Sequence, residues 1–525
     1  MDSFFSSVWN KIKAEQKFAF FSAFTVGILT HAFAMTNDLL TTDSMWNIIS
    51  RQDMISSGRQ FLTFLCGISS DYFLPWMNGI LTVLYLSLAA VIFTEGFGIK
   101  TRTGAVLTGA LTVAFPVIAA TFSFSYTIDG YALAILLSAA AFLICDRFKY
   151  GFIPAAFVLA LTIGAYQSYF SVTILLCVFA LILMILKGEE LKDVIGKVWR
   201  YVVMGGLGYL VYVISLKVMM SAKGVSMSGY QGTDKVLSFS FANIGGGLSE
   251  SYHAFFRYFR MYGYYYRFGF MRIFFAIFMI ACVLSYLFLF IKHQRYKQVW
   301  RVIVSLVLFA VVPVGACLVC VMAPDVYFHI IMRYPMIVPL IFGIAVLSEA
   351  DSYHADMVSR STGVKTKDIT ACGVWTVIGT VSVIVLIFEY AVIDNIVYFN
   401  LNEKYEKSYA MCEEVVWRIH ETEGYTSDMP VAILGGDPNR TYYPWSDHTG
   451  DVLGYMQGAS GDYVLNSTDG YAEFCRHYIG TAIVPASPAV QQELVEDAEF
   501  KEMPCFPEKG GVRIIGGVLV IKMGG

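Results

Sequence analysis

Apolar runs of membrane-spanning length recur from Phe18 to about Asp394, and they limit what this chain can fold into. A bilayer core offers no water to hydrogen-bond a backbone, so such runs must be helices whose N–H and C=O groups pair within the segment. Composition agrees: 57% of the residues are hydrophobic and 15% charged, which does not describe a soluble domain. The spacing predicts about eleven transmembrane helices. They lie near 18–35, 73–93, 104–121, 131–145, 201–220, 268–291, 302–322, 336–347 and 369–393, with two more inside 152–186. That last stretch of about 35 residues would be roughly 52 Å long as one helix, against a core of ~30 Å. Basic residues flank both of its ends (Arg147 and Lys149, Lys187 and Lys192), so two short helices meeting around Tyr166-Gln167-Ser168 are expected.

Lys and Arg cluster at the N-terminus and in nearly every second connection, the long basic segment Ser221–Arg267 being the exception, so the N-terminus is expected in the cytoplasm and everything beyond Asp394 outside. No secretory signal is expected, because the basic N-terminal stretch lacks a small-residue cleavage site. The expected division is a membrane domain over 1–394, with its first outer loop at 36–60, and a soluble α+β domain over 395–525. In the second domain an amphipathic helix at Tyr398–Glu423 and strands at Val431–Leu434 and Val512–Lys522 stand out. The cysteines lie mostly in apolar spans. Cys317 and Cys320 have CxxC spacing without a nearby His or carboxylate, and read as small packing residues.

Charge is concentrated at the corners rather than along the spans. The first outer loop carries Asp38, Asp43, Asp53, Arg51 and Arg59 among apolar residues. The corner at Ser123–Asp129, the Tyr166–Ser168 turn, the segment with Arg257 and Arg260, and the loop running through Asp325 and His329 to Arg333 fall on the same side by the span count. Ionisable groups near membrane depth are functional candidates. Carboxylates can serve as general bases, guanidinium groups can hold phosphate by paired donors, and aromatic rings can stack on sugar. A transporter or flippase of lipid-linked saccharides is the competing reading; it would show internal repeats and polar residues along several spans, and neither is seen. Gly435-Gly436-Asp437 lacks a nucleotide-binding fingerprint, and no basic stripe suits nucleic acid.

His31-Ala32-Phe33, Thr36-Asn37, Asp43 and Ser57-Gly58-Arg59, followed by Tyr166-Gln167-Ser168 and the ending from Met503-Pro504 through Val512–Lys522, resemble the bacterial O-antigen glucosyltransferase family, type II. The resemblance covers the layout of the whole chain through short motifs. It implies a GT-C-like polytopic glycosyltransferase in the bacterial cytoplasmic membrane, using a polyprenyl-phosphate sugar and a carboxylate in the first outer loop. On it, Asp43 is the base of an inverting transfer of a hexose, glucose by the family's name, to a cell-surface glycan. Ser44 stands where the family pattern leads one to expect a second acid. Arg59, Arg257, Arg260 and Arg333 are the expected ligands of the donor phosphate. Asp38, Asp129, Tyr166, Gln167 and His329 are the expected substrate-binding residues. Membrane lipid is a partner and nucleic acid is not. No cofactor is required by this reading, and a divalent metal has no support from ligand spacing.

Overall fold

The computed structural model describes residues 2–39, 41–49, 51–229, 244–260, 271–323, 328–359, 366–435, 465 and 467–523. Asp325, residues 261–267 and Gly436-Asp437 lie outside the described residues. The chain forms two compact units, Met1–Met35 with Ser50–Asn395 and Thr36–Ile49 with Ile396–Gly525.

In chain order the helices of the first unit begin with α1 (Asp2–Lys11) and α2 (Ala14–Thr36). After α3 (Thr42–Trp46), which belongs to the second unit, come α4 (Leu62–Cys66), α5 (Pro75–Phe97), α6 (Arg102–Ala114), α7 (Val117–Phe122) and α8 (Ile128–Arg147). These are followed by α9 (Phe152–Ala165), α10 (Phe170–Lys187), α11 (Leu191–Lys223), α12 (Ile244–Arg260) and α13 (Met271–Lys292). The series ends with α14 (Val299–Ala316), α15 (Leu318–Met322), α16 (Ile337–Ser359) and α17 (Thr366–Glu421). Among the described residues ten helical stretches are long and apolar enough to cross a membrane, and α9 is a shorter apolar helix beside them. The protein is therefore a polytopic helical membrane protein. The expected pair of short helices in 152–186 is present as α9 and α10, broken at Tyr166, whose backbone is extended (φ −156°, ψ 109°).

Three further spans are interrupted. Pro116 cannot donate the N–H that a continuous helix needs, and Phe115 before it is extended (φ −71°, ψ 125°), so α6 stops and α7 restarts. The break leaves two carbonyls of α6 without their i+4 donors. Tyr334 Oη donates to Thr112 O at 3.1 Å, and His31 Nε2 lies 2.9 Å from Val113 O, so the ring carries its proton on Nε2. Buried backbone made irregular by a proline is thus re-paired by side chains from other segments. A second break, at Cys317, separates α14 from α15, and a 3₁₀ turn at Ile330–Met336 containing Pro335 precedes α16. Close packing helps hold the bundle. A Cβ on Gly109 would sit 2.3 Å from Ala19 O, so α6 meets α2 backbone to backbone.

Helix α17 runs on for 56 residues, where the sequence reading expected a span and a separate amphipathic helix. Nothing between Ile393 and Tyr398 breaks a helix: the polar pair Asp394-Asn395 carries no proline or glycine. The boundary between the two units falls inside it.

The second unit is a three-layer sandwich. Strand β1 (Val431–Leu434) pairs in parallel with β3 (Val518–Lys522), and β2 (Val512–Ile515) pairs antiparallel with β3. The expected single strand at Val512–Lys522 is a hairpin, turned by Gly516 and Gly517 at φ 57° and 81°, which residues with a Cβ rarely adopt. Alternation along the strands divides the core. Val431, Ile433, Leu519 and Ile521 pack with Met45 of α3, with Met411, Cys412, Val415 and Ile419 of α17, and with α18 (Thr468–Phe474). Ala432, Leu434, Val518 and Val520 pack on the other side against α19 (Pro488–Glu496) and α20 (Ala498–Glu502).

Candidate active site

Within the first unit, the loop after Arg51 is held by polar contacts from three directions. Two of its residues are left-handed, Gln52 (φ 53°) and Gly58 (φ 74°). Gly58 O accepts from Tyr212 Oη (3.1 Å) and Gln167 Nε2 (3.2 Å), and Ser57 O accepts from Gln167 Nε2 (3.0 Å). Gln60 is fully buried; its Nε2 donates to Tyr212 O (3.2 Å) and Ser215 Oγ (3.1 Å). Phe61 N reaches Gly164 O at 2.8 Å, and Lys223 pairs with Asp53. The α9 end, the turn after it and α11 thus fix the backbone on either side of Arg59. A Cβ on Gly58 would lie 2.7 Å from both Gln167 Nε2 and Tyr212 Oη. Gly58→Ala is therefore expected to cost about 1–3 kcal/mol of stability. The clash also displaces the clamp on either side of Arg59; a thermal unfolding scan checks the loss of stability.

The Arg59 guanidinium is half-buried. It donates to Tyr131 Oη at 3.2 Å and lies 4.8 Å from the centre of the Tyr166 ring. Tyr166 sits beside Tyr169 (4.9 Å), Tyr169 beside Tyr334 (6.3 Å), Tyr334 beside Phe115 (6.2 Å) and Phe115 beside Tyr258 (6.4 Å). Arg333 lies 5.9 Å from the Tyr258 ring centre. A continuous row of rings therefore joins the two arginines, and Phe115, Tyr166 and Tyr334 come from the helix interruptions described above. The breaks turn side chains that would line separate helices toward one another.

The other expected residues are placed as follows. Arg333 directs Nε (3.1 Å) and Nη2 (2.7 Å) to Phe328 O. His329 lies edge-on to Phe124 at 6.1 Å. Asp129 is 1% exposed in the first turn of α8, where a carboxylate meets the positive end of the helix dipole. Arg257 and Arg260 are exposed in the last turn of α12, while Tyr258 between them is buried. Gln167 commits its amide nitrogen to backbone carbonyls of the loop, which gives it a positioning role. Tyr131, Tyr169, Tyr212, Tyr258, Tyr334 and Gln60 were not singled out from the sequence. A tyrosine in an apolar span reads as an interfacial residue, and no local pattern shows that six segments meet. Two buried carboxylates on α17, Glu389 (3% exposed) and Asp394 (0%), also stand out in a membrane helix.

Asp43 and Asp38 belong to the second unit. Asp43 is exposed in the first turn of α3, a helix that begins with a reciprocal cap. Ser44 N donates to Thr41 Oγ1 (3.2 Å) and Thr41 N donates to Ser44 Oγ (2.7 Å). The serine that stands in place of a second acid is thus a buried structural residue, and it fixes the backbone that presents Asp43. Asn47 Nδ2 donates to Asp43 O at 2.7 Å, which tightens the same turn.

Partial desolvation raises the Asp38 carboxyl above its ordinary value although the side chain keeps contact with solvent, and its charge acts on Tyr405 and Tyr478, whose rings are 5.4 Å apart. A folded state that holds this proton more tightly than the unfolded chain loses stability as pH rises through the raised value. Asp38→Asn should therefore stabilise the protein at about pH 7 by less than about 1 kcal/mol, since the side chain is exposed, and give no gain at a pH below the ordinary carboxylate range. Unfolding temperatures at the two pH values check the sign. Among the described residues no three His, Cys, Asp or Glu side chains form a metal-type group.

Residues 32–340 match the family described as glucosyl transferase GtrII, a stretch that includes every candidate residue named above from Asp38 to Arg333. No curated protein and no solved structure matches the chain.

Proposed function

The chain belongs to the glucosyl transferase GtrII family, and from that premise we propose that it moves glucose from a polyprenyl-phosphate carrier to a cell-surface glycan on the outer face of a bacterial cytoplasmic membrane. The observation that carries the donor class is the half-buried Arg59 guanidinium, fixed on Tyr131 and Tyr166 at a break between short apolar helices. Such a cation matches the phosphate of a lipid-linked sugar, whose chain lies in the membrane. In the proposed reaction Asp43 removes the proton of an acceptor hydroxyl. That oxygen attacks the anomeric carbon, and the bond to the phosphate breaks with inversion. The polyprenyl phosphate leaves with the electron pair, its charge met by Arg59, with Arg333 or the α12 arginines as further cations. Negative charge grows on the phosphate as the bond breaks, so a fixed guanidinium stabilises the transition state more than the ground state. Asp129 is assigned to orienting the sugar.

Family membership favours this reading over a flippase. The proposed faces are supported by the basic clusters at Lys100-Arg102, Arg147-Lys149, Lys187-Lys192 and Arg295-Arg301, which favour an N-terminus inside and, with eleven crossings, a C-terminal unit outside. Deleting the synthase that makes the polyprenyl-phosphate glucose of the host should abolish the glycan modification; undiminished modification would sink the donor class.

A further inference from the structure

An open cleft of about 530 Å³ lies where α5, α8 and α10 end and α11 begins, in the first unit and away from the residues of the proposed chemistry. Its lining combines apolar Ala180, Leu183 and Met184 with the cations Lys187, Lys192, Lys197 and Arg200 and the carboxylates Asp146, Glu189 and Asp193. Some of these charges already have structural work. Arg200 donates to the carbonyls of Cys145 and Phe148 at the end of α8, and Lys197 pairs with Asp146 Oδ1 at 2.5 Å. Nearby, Arg295 and Arg301 cap the end of α10 through Leu186 O (2.9 Å) and Ile185 O (3.1 Å). Three charges of the lining have no ion pair among the described residues, and a fourth is paired only at an exposed position. Lys187, Glu189 and Asp193 make no ion pair among the described residues, and Lys192 pairs with Glu190 where both are well exposed.

We propose that this cleft seats the headgroup of a zwitterionic aminophospholipid. Two cations and two carboxylates around an apolar floor match a molecule with one phosphate, one primary ammonium and acyl chains. The phosphate goes to Lys187 and Lys192, the ammonium donates to Glu189 and Asp193, and a chain lies on Ala180, Leu183 and Met184. An anionic headgroup without an amine meets two carboxylates that make no ion pair among the described residues, and a quaternary ammonium has no N–H to give them. The level in the membrane also fits. Trp199 (67% exposed) and Ile195 (58%) project from α11 beside the cleft, and Phe148 (65%) and Tyr150 (66%) project next to the carbonyl that Arg200 holds. Exposed aromatics of this kind mark the headgroup region, where basic pockets between helices take up lipid heads. The inference does not depend on the reading of the chemistry.

The full-length protein, purified and exposed in turn to phosphatidylethanolamine, phosphatidylglycerol and phosphatidylcholine of identical chains, would be examined by native mass spectrometry for retained lipid. Phosphatidylethanolamine should be retained about fivefold over each of the others, the factor that one good charged contact supplies. In Glu189→Lys/Asp193→Lys the order should reverse toward phosphatidylglycerol, with the unfolding temperature unchanged. Equal retention of all three lipids, phosphatidylglycerol at least as well held by the native protein, or an order unmoved in the double variant would each overturn the proposal. So would equal displacement of the bound lipid by inorganic phosphate alone, since that would make the cleft a simple anion site.

Discussion

Asp43→Asn should lower glucosyl transfer about 100- to 10,000-fold, the range that a lost general base accounts for. The substitution is nearly isosteric, and the reciprocal cap of the turn that carries it is made by other side chains. Thr41 and Ser44 cap α3 without it, and Met45, 1% exposed, anchors the helix in the core of the second unit. The unfolding temperature should therefore stay at the native value while the rate falls. With Ser44 buried in the cap, no second acid stands directly after Asp43 to take over the proton. Asp43→Glu, which keeps the acid but moves it by one methylene, should recover only part of the activity. Ser44→Ala separates presentation from chemistry: it should cost about 1 kcal/mol of stability through the lost cap and leave the pH dependence of transfer unchanged.

Arg59→Ala should reduce transfer about 100- to 1,000-fold, as when a fixed donor to a developing anion is removed. The fall should appear mainly in kcat, because the charge that Arg59 meets grows on the way to the transition state. Arg59→Lys keeps the charge but gives up the guanidinium that lies 4.8 Å from the Tyr166 ring centre and its fork geometry, so it should recover little. Arg333→Ala is a useful contrast. Its guanidinium already directs two N–H groups to Phe328 O, and its loss should cost transfer about tenfold or less. Steady-state kinetics on the three variants, with lipid-linked donor varied, distinguish these outcomes. If Arg59→Ala and Arg333→Ala proved equal, the special place given to Arg59 would fall.

Much of this was legible in the sequence, for reasons that can be named. Segment lengths and basic flanks located the spans, and the excess length of 152–186 located the break at Tyr166. Arg59, Tyr166 and Gln167 came from the polar corners and the family resemblance, and the structure brings the three together. The interruptions at Pro116 and Cys317 were hidden because both lie inside apolar runs of ordinary span length. Cys317 follows Pro313 by four residues and still donates to its carbonyl (3.1 Å), so the local sequence carries no sharp stop. The row of rings from Arg59 to Arg333 was hidden more deeply. Each of its tyrosines looks like an isolated interfacial residue until helix breaks from distant segments turn them toward one another. Gln167 shows the same limit in reverse: the sequence singled it out for substrate binding, whereas the structure has its amide holding the backbone carbonyls of Ser57 and Gly58.

The most direct test of the lipid-donor reading uses the purified full-length protein in liposomes with its glycan acceptor. Radiolabelled glucose is supplied either as polyprenyl-phosphate glucose or as a nucleotide sugar, to the native protein and to Asp43→Asn. The expected result is label on the glycan from the lipid donor alone, lost in the variant. Label arriving from the nucleotide sugar while the lipid donor stays inert, or equal transfer by Asp43→Asn, would contradict it.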